Sequence, residues 1–165
     1  MKNKKVSKNN DWGTLLIIIV IIEGLAFIAN IFNKGSGRYY EILRKPFFAL
    51  PSVILIIFWP VVLLSISIAA YLFISKNREG VYNRRGVFYF IVQVTLNFLW
   101  PFIFFRLNLY GISFLLSLLI ILTTVLTTIK FLKGYKAAGL LMLPYIILVT
   151  YSSILNYYIW LLNEA

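Results

Sequence analysis

The sequence predicts an all-α membrane protein, a bundle of five transmembrane helices. Three observations carry that prediction. Hydrophobic residues make up 61% of the 165 residues, with a mean hydropathy of +0.89, against roughly 45–50% in soluble domains. Five apolar runs each approach the ~20 residues that a helix needs to cross a bilayer. The formal net charge of +11 sits in the tail and in the connections between the runs, where anionic lipid headgroups would meet it.

The elements follow in order. Residues 1–13 form a basic tail carrying Lys2, Lys4, Lys5 and Lys8, and residues 14–163 form the transmembrane domain. The first span, about 14–32, exceeds the roughly 7–15-residue core of a signal peptide, and Ala26-Phe27-Ile28-Ala29 is not an A-x-A cleavage site, so a retained helix is expected. Asn33 to Ser52 is a polar connection of 20 residues, long against the usual median of about 4–6. It reads either as a lid over a binding site or as an interfacial turn anchored by Tyr39, Tyr40 and Arg44.

The second span, about 53–75, contains Trp59-Pro60, and a basic loop runs from Lys76 to Gly86. The third span, about 87–105, leads through a tight connection at Arg106–Gly111 into the fourth, about 107–129. A second basic loop is expected at Lys130–Lys136, before a fifth span of about 137–162. With five spans, the tail, the second loop and the fourth loop share one side with eleven Lys and Arg, against five on the other. The positive-inside rule then predicts a cytoplasmic N-terminus and an external C-terminus.

Composition also excludes chemistry. There is no cysteine and no histidine, which removes thiol nucleophiles, Ser-His-Asp catalysis and metal or haem ligation through those residues. Asp11, Glu23, Glu41, Glu79 and Glu164 are scattered one per segment, so no metal, no cofactor and no enzyme activity is expected. Nucleic acid is not an expected partner, because the basic residues flank membrane spans; the lipid bilayer is.

The polar residues inside the spans are the informative ones. Gln93 and Asn97 stand one turn apart and share a helix face, where they serve either interhelical hydrogen bonds or a cavity. Glu23 lies in mid-span, where a charge costs about 2.5–3.5 kcal/mol on insertion scales. Either it contacts a proton or cation inside the bundle, or it is a protonated acid bonded to a neighbouring helix. Trp59 lies deep in its span, whereas Trp160 at a helix end fits the interfacial belt. Pro60, Pro101 and Pro144 each remove a backbone donor and can kink a helix. Asn156 reads as a bridge between helices.

Three blocks, in order, resemble the translocator protein family (TspO/MBR, the tryptophan-rich sensory proteins). The first is Tyr39-Tyr40-x2-Leu43-x-Lys45-Pro46-x4-Pro51 with Trp59 downstream. The second is Gln93-x3-Asn97-x2-Trp100-x3-Phe104-Phe105, and the third is Leu143-Pro144-Tyr145 with Leu155-Asn156. The resemblance spans residues 14–163 and implies five helices around a pocket open beneath the first loop. Family members bind porphyrins and benzodiazepine-type ligands, and some bind cholesterol.

The resemblance therefore implies a ligand-binding, sensory membrane protein of bacterial cell-membrane type, taking a tetrapyrrole or another flat apolar ligand, and it allows a homodimer. The implied ligand-binding set is Tyr40, Pro46, Pro51, Trp59, Gln93, Asn97, Trp100 and Tyr145. A small-molecule transporter and a structural member with a filled pocket are the alternatives. The chain departs from the family at Tyr39 and Phe48, each where a Trp is usual, at Leu50 for the first Pro of a pair, and at Leu116 for an Asp. Leu148 replaces a pocket Trp, which speaks against porphyrin breakdown. No basic residue follows Leu155 and Tyr157, so a cholesterol motif is not expected.

Overall fold

A computed structural model describes residues 12–77 and 84–164. The four lysines of the expected tail, with Arg78 and Glu79 of the second loop, lie outside the described residues. Helices α1 (Trp12–Phe32), α3 (Ser52–Asn77), α4 (Arg84–Pro101), α5 (Tyr110–Gly134) and α7 (Leu143–Asn163) are long; α2 (Ser36–Ile42) and α6 (Lys136–Leu140) are short. A π-helical turn, Phe102–Arg106, extends α4. Five segments are long and apolar enough to cross a membrane: Trp12–Phe32, Ser52–Ser75, Arg84–Arg106, Tyr110–Gly134 and Lys136–Asn163. The protein is an all-α, multi-pass integral membrane protein.

Helix ends differ from the expected ones for local reasons. The basic stretch from Lys130 continues α5 to Gly134, because Lys is a good helix former and Lys133 lies against the negative end of the macrodipole. The expected loop shrinks to Tyr135, in an extended conformation. The fifth span breaks at Leu141–Met142 and restarts as α7 with Pro144 in its first turn. A proline there leaves no donor missing that the helix would have used, so Pro144 starts a helix rather than kinking one. Pro60 and Pro101 do lie inside helices. Beyond Pro101 the turn widens, with Leu107 N donating five residues back to Phe102 O at 3.0 Å.

α4 packs against α5, α5 against α7, and α1 against α3, with a lighter contact between α1 and α4. In lipid there is no hydrophobic drive between helices, so close packing and interhelical hydrogen bonds must hold them. At one end Phe73 stacks on Phe131 with centroids 4.2 Å apart, and Phe90 stacks on Phe131 in turn. Gly86 and Gly134 make room for that stack: a Cβ on either would come within 3 Å of the Phe73 ring. Along the α5–α7 seam Ser117 Oγ and Ser153 Oγ are 2.7 Å apart, and the Asn156 amide donates to Ser113 Oγ at 3.1 Å. Thr124, Thr127 and Thr128 donate to carbonyls one turn back in α5, so their hydroxyls carry no unmet polarity into the core.

The packing predicts a contrast between two glycines. A Cβ at Gly139 would meet Leu132 Cα at 2.7 Å, whereas one at Gly24 meets nothing within 4 Å. Gly139→Ala should destabilise the detergent-solubilised protein by about 1–3 kcal/mol, the usual cost of overpacking. Gly24→Ala should be neutral or stabilising by up to about 1 kcal/mol. Unfolding in SDS, followed by far-UV circular dichroism, measures both.

Candidate functional site

The first connection folds into a lid. Gly35 takes a left-handed conformation (φ 88°), open to glycine at no steric cost, and turns the chain from α1 into α2. Tyr40 faces inward from α2, 5% exposed, and its hydroxyl donates to Leu50 O at 2.8 Å. Burial, then the neighbouring Tyr151 and Glu41, pushes the Tyr40 phenol up to about 12, so it stays a neutral donor. The Tyr151 hydroxyl of α7 accepts from Leu50 N at 2.8 Å and donates to Phe48 O at 3.2 Å. The Asn163 amide pairs with the backbone of Arg44 in both directions, at 3.1 and 2.9 Å. Tyr39 and Tyr110 share a hydrogen bond between hydroxyls.

Glu41 joins the lid to the next helix. Its carboxylate accepts from Ser52 N, at the start of α3, at 2.7 Å and from Lys45 Nζ at 2.6 Å. The first of these occupies a helix N-terminus, where an anion is favoured. The Lys45 bond and then the Ser52 bonds hold the carboxyl well below the usual range, at about 2. Lys45 also lies 4.3 Å from the centroid of the Tyr40 ring.

Beneath the lid is a central cavity of about 150 Å³. α2 contributes Tyr40, α3 contributes Trp59, α4 contributes Asn97 and Trp100, and α7 contributes Ser152 and Asn156. Its lining carries no carboxylate, ammonium or guanidinium group. Trp100 stacks on Phe104 (centroids 4.8 Å apart) and donates its indole N–H to Ser113 O at 3.1 Å, which fixes the plane it presents. A side cavity of about 340 Å³ lies between α1, α3 and α4. Trp59, Asn97 and Trp100 line both and form the wall between them. A third depression at the mouth, also about 340 Å³, is lined by Lys34, Arg38 and Arg106.

The two Trp-Pro steps explain why the wall stands where it does. Pro60 and Pro101 have no N–H for the carbonyls of Ile56 and Asn97, four residues earlier. Ile56 and Asn97 line both cavities, so the two carbonyls that lose their usual donor lie beside the two indoles.

The structure brings Tyr40, Trp59, Asn97 and Trp100 together around the central cavity. Pro46 and Pro51 do not line either cavity; the Pro46 carbonyl accepts from Ala49 and the Pro51 carbonyl from Ile54. They shape the strap between α2 and α3. Gln93 and Tyr145 line neither cavity and are sealed in the core, each 0% exposed. Tyr145 packs edge-on to Trp59 (centroids 6.3 Å apart), and its hydroxyl faces Thr124 without completing a hydrogen bond of normal geometry. Both polar atoms of the Gln93 amide lack partners. Leu148 is buried in the core, and Leu116 packs against it. Trp160 stacks on Phe114 away from the cavities.

Asn156 both bridges α7 to α5 and lines the central cavity. Glu23 is half-buried on the side cavity, without a hydrogen-bond or salt-bridge partner among the described residues, so the expected bond to a neighbouring helix is not made. Sequence reasoning missed Tyr151 and Asn163 as lid anchors, because their partners lie about a hundred residues away. The Glu41–Lys45 pair did carry a signal, an i,i+4 spacing.

A model of the TspO/MBR family matches residues 16–161. The chain belongs to the TspO/MBR family. Among its relatives, protein CrtK of Rhodobacter capsulatus is 30% identical over 79% of this chain and 82% of its own length. A tryptophan-rich protein TspO of Archaeoglobus fulgidus is 30% identical over 90% of this chain and 96% of its own. The human translocator protein is 28% identical over 84% and 83%.

The lid geometry predicts a pH response. The Glu41 carboxyl is held low in the folded state, so the stability it lends is fully present above about pH 4.5 and is lost as pH falls toward about 2. Backbone amide exchange in residues 36–52, corrected for intrinsic rates, should rise across that window. In Glu41→Gln it should already be raised at neutral pH and change little on acidification.

Proposed function

We propose that the protein binds a flat, mostly apolar ligand such as a tetrapyrrole in the central cavity, as a sensory rather than catalytic membrane protein. The observation that carries this reading is a cavity with no carboxylate or basic side chain in its lining, walled by Trp59 and Trp100 and closed by Tyr40 on a tethered lid. Flat indole faces suit a flat apolar ligand, and a few convergent polar groups, Asn97 and Asn156 here, suffice to orient it. A cavity of this size holds about one benzene-sized molecule. A tetrapyrrole therefore enters only when the lid lifts or the Trp59–Trp100 wall yields toward the side cavity. The basic mouth of Lys34, Arg38 and Arg106 suits the carboxylates such a ligand carries.

The same reading places the N-terminus in the cytoplasm of a bacterial-type cell membrane, with the lid outside, and allows a homodimer. A single cysteine added at the C-terminus should then be labelled by an impermeant maleimide from outside intact cells, and labelling only after lysis refutes the orientation.

Titration of the purified protein with protoporphyrin, following Trp fluorescence against a free-Trp control, should saturate. Trp59→Ala and Asn97→Ala should weaken binding about tenfold to a hundredfold, as expected for losing a large buried side chain or an orienting amide, with far-UV signal retained. Trp160→Ala should bind as the wild type does. No saturable binding would favour the structural alternative, for which the aliphatic Leu148 and Leu116 already speak.

A further inference from the structure

The side cavity has a chemistry of its own. It lies between α1, α3 and α4, of which α1 does not line the central cavity, and Glu23 is the one ionisable side chain in its lining. The carboxyl group has no hydrogen-bond or salt-bridge partner among the described residues. A second acceptor lies just past the C-terminal end of α1. Asn33, 5% exposed, donates its amide N–H to Ala29 O at 2.7 Å, while its Oδ1 is buried without a partner in the lining of this cavity. Asn33 stands ten positions after Glu23, about 15 Å along the axis of α1. The rest of the lining is largely apolar and aromatic, with Trp59, Trp100, Phe98 and Phe105 beside the amides of Asn30 and Asn97.

A carboxyl group at this depth is stable in two ways, neutral or paired, and a cation entering the cavity supplies the pair. The aromatic faces attract the same cation through their quadrupoles. A neutral or anionic ligand gains neither interaction. The cavity volume of about 340 Å³ falls within the range of small-molecule sites, roughly 300–1,000 Å³. α1 packs on α4 more lightly than on α3, which leaves the α1–α4 seam for an approach from lipid, while the basic depression adjoins the cavity at Asn33, Ser36 and Phe105.

We propose that the side cavity between α1, α3 and α4 binds an amphiphilic organic cation, with its ammonium on Glu23 and its aromatic body against Trp59, Trp100 and Phe98. The site is separate from the central cavity, although the two share the Trp59–Asn97–Trp100 wall.

The test uses the whole chain in nanodiscs of zwitterionic lipid, with empty nanodiscs subtracted. The probes are 1-naphthylmethylamine, protonated at pH 7, and its neutral isostere 1-naphthylmethanol, compared by equilibrium dialysis. The ammonium should bind on the order of tenfold more tightly than the alcohol, as a charge-assisted contact requires. Glu23→Gln should remove that difference by weakening the ammonium and leaving the alcohol unchanged. Ala26→Trp, which fills the side cavity only, should abolish ammonium binding. Ser152→Phe, which fills the central cavity only, should leave it intact.

Equal affinity of the two probes for the wild type, or undiminished ammonium binding in Glu23→Gln, overturns the proposal. So does loss of ammonium binding in Ser152→Phe with retention in Ala26→Trp. Porphyrin titration of the Ser152→Phe protein separates the two readings, because filling the central cavity should weaken porphyrin binding while ammonium binding persists.

Discussion

A polar group inside a bilayer has no water to turn to, and this constraint arranges the whole bundle. The backbone meets it with helices. The side chains of α5 meet it in two ways: threonines bond back to their own helix, and serines reach across to α7. The Ser117–Ser153 and Ser113–Asn156 bonds are therefore more than local contacts. They bring α5 and α7 close in a medium where apolar surface gives no reason to associate. The glycines around Phe73 do the same work at the opposite end through shape alone.

Groups that escape this accounting are not scattered. Tyr145 packs on Trp59, Gln93 lies one turn before Asn97 on α4, the Asn33 oxygen and Glu23 line the side cavity, and Pro60 and Pro101 withdraw a donor from two carbonyls on the common wall. A buried polar atom without a partner usually costs about 1–3 kcal/mol. A bundle built only for stability would place such atoms on its well-packed seams, where a neighbour could satisfy them. Here they gather around the two cavities, with Trp59 and Trp100 dividing the space.

The lid is held by elements distant from it in sequence. Tyr151 and Asn163 of α7, Tyr110 of α5 and the start of α3 all bond to residues 39–52. The enclosure of the central cavity therefore depends on where α7 ends and α3 begins. α1 contributes to the side cavity but does not line the central one. The two cavities can thus respond to different movements, one to the lid and the other to α1.

What the sequence determined by itself is whatever depends on local pattern. Apolar runs of membrane length, broken by basic connections, are enough to count five spans, since a charged connection cannot stay in lipid. The spacing of Gln93, Asn97 and Trp100 puts them on neighbouring faces of one helix, and the Trp-Pro steps mark weakened backbone. Helix ends were less legible. Lys130 and Lys133 read as loop but extend α5, because a long basic side chain is compatible with helix as well as with headgroups.

Only the tertiary structure decided how those faces met. Whether Gln93 and Tyr145 border a cavity or lie sealed behind it depends on the rotation of α4 and α7 against α3, which no local pattern encodes. Pro46 and Pro51 stand beside a lid without lining what it covers, because their rings shape the strap. The division into two cavities, and the partners that tie Tyr40 and Arg44 down, come from residues up to 119 positions apart. Such contacts form only after the helices have packed, so their physical cause lies in the fold rather than in any segment of the chain.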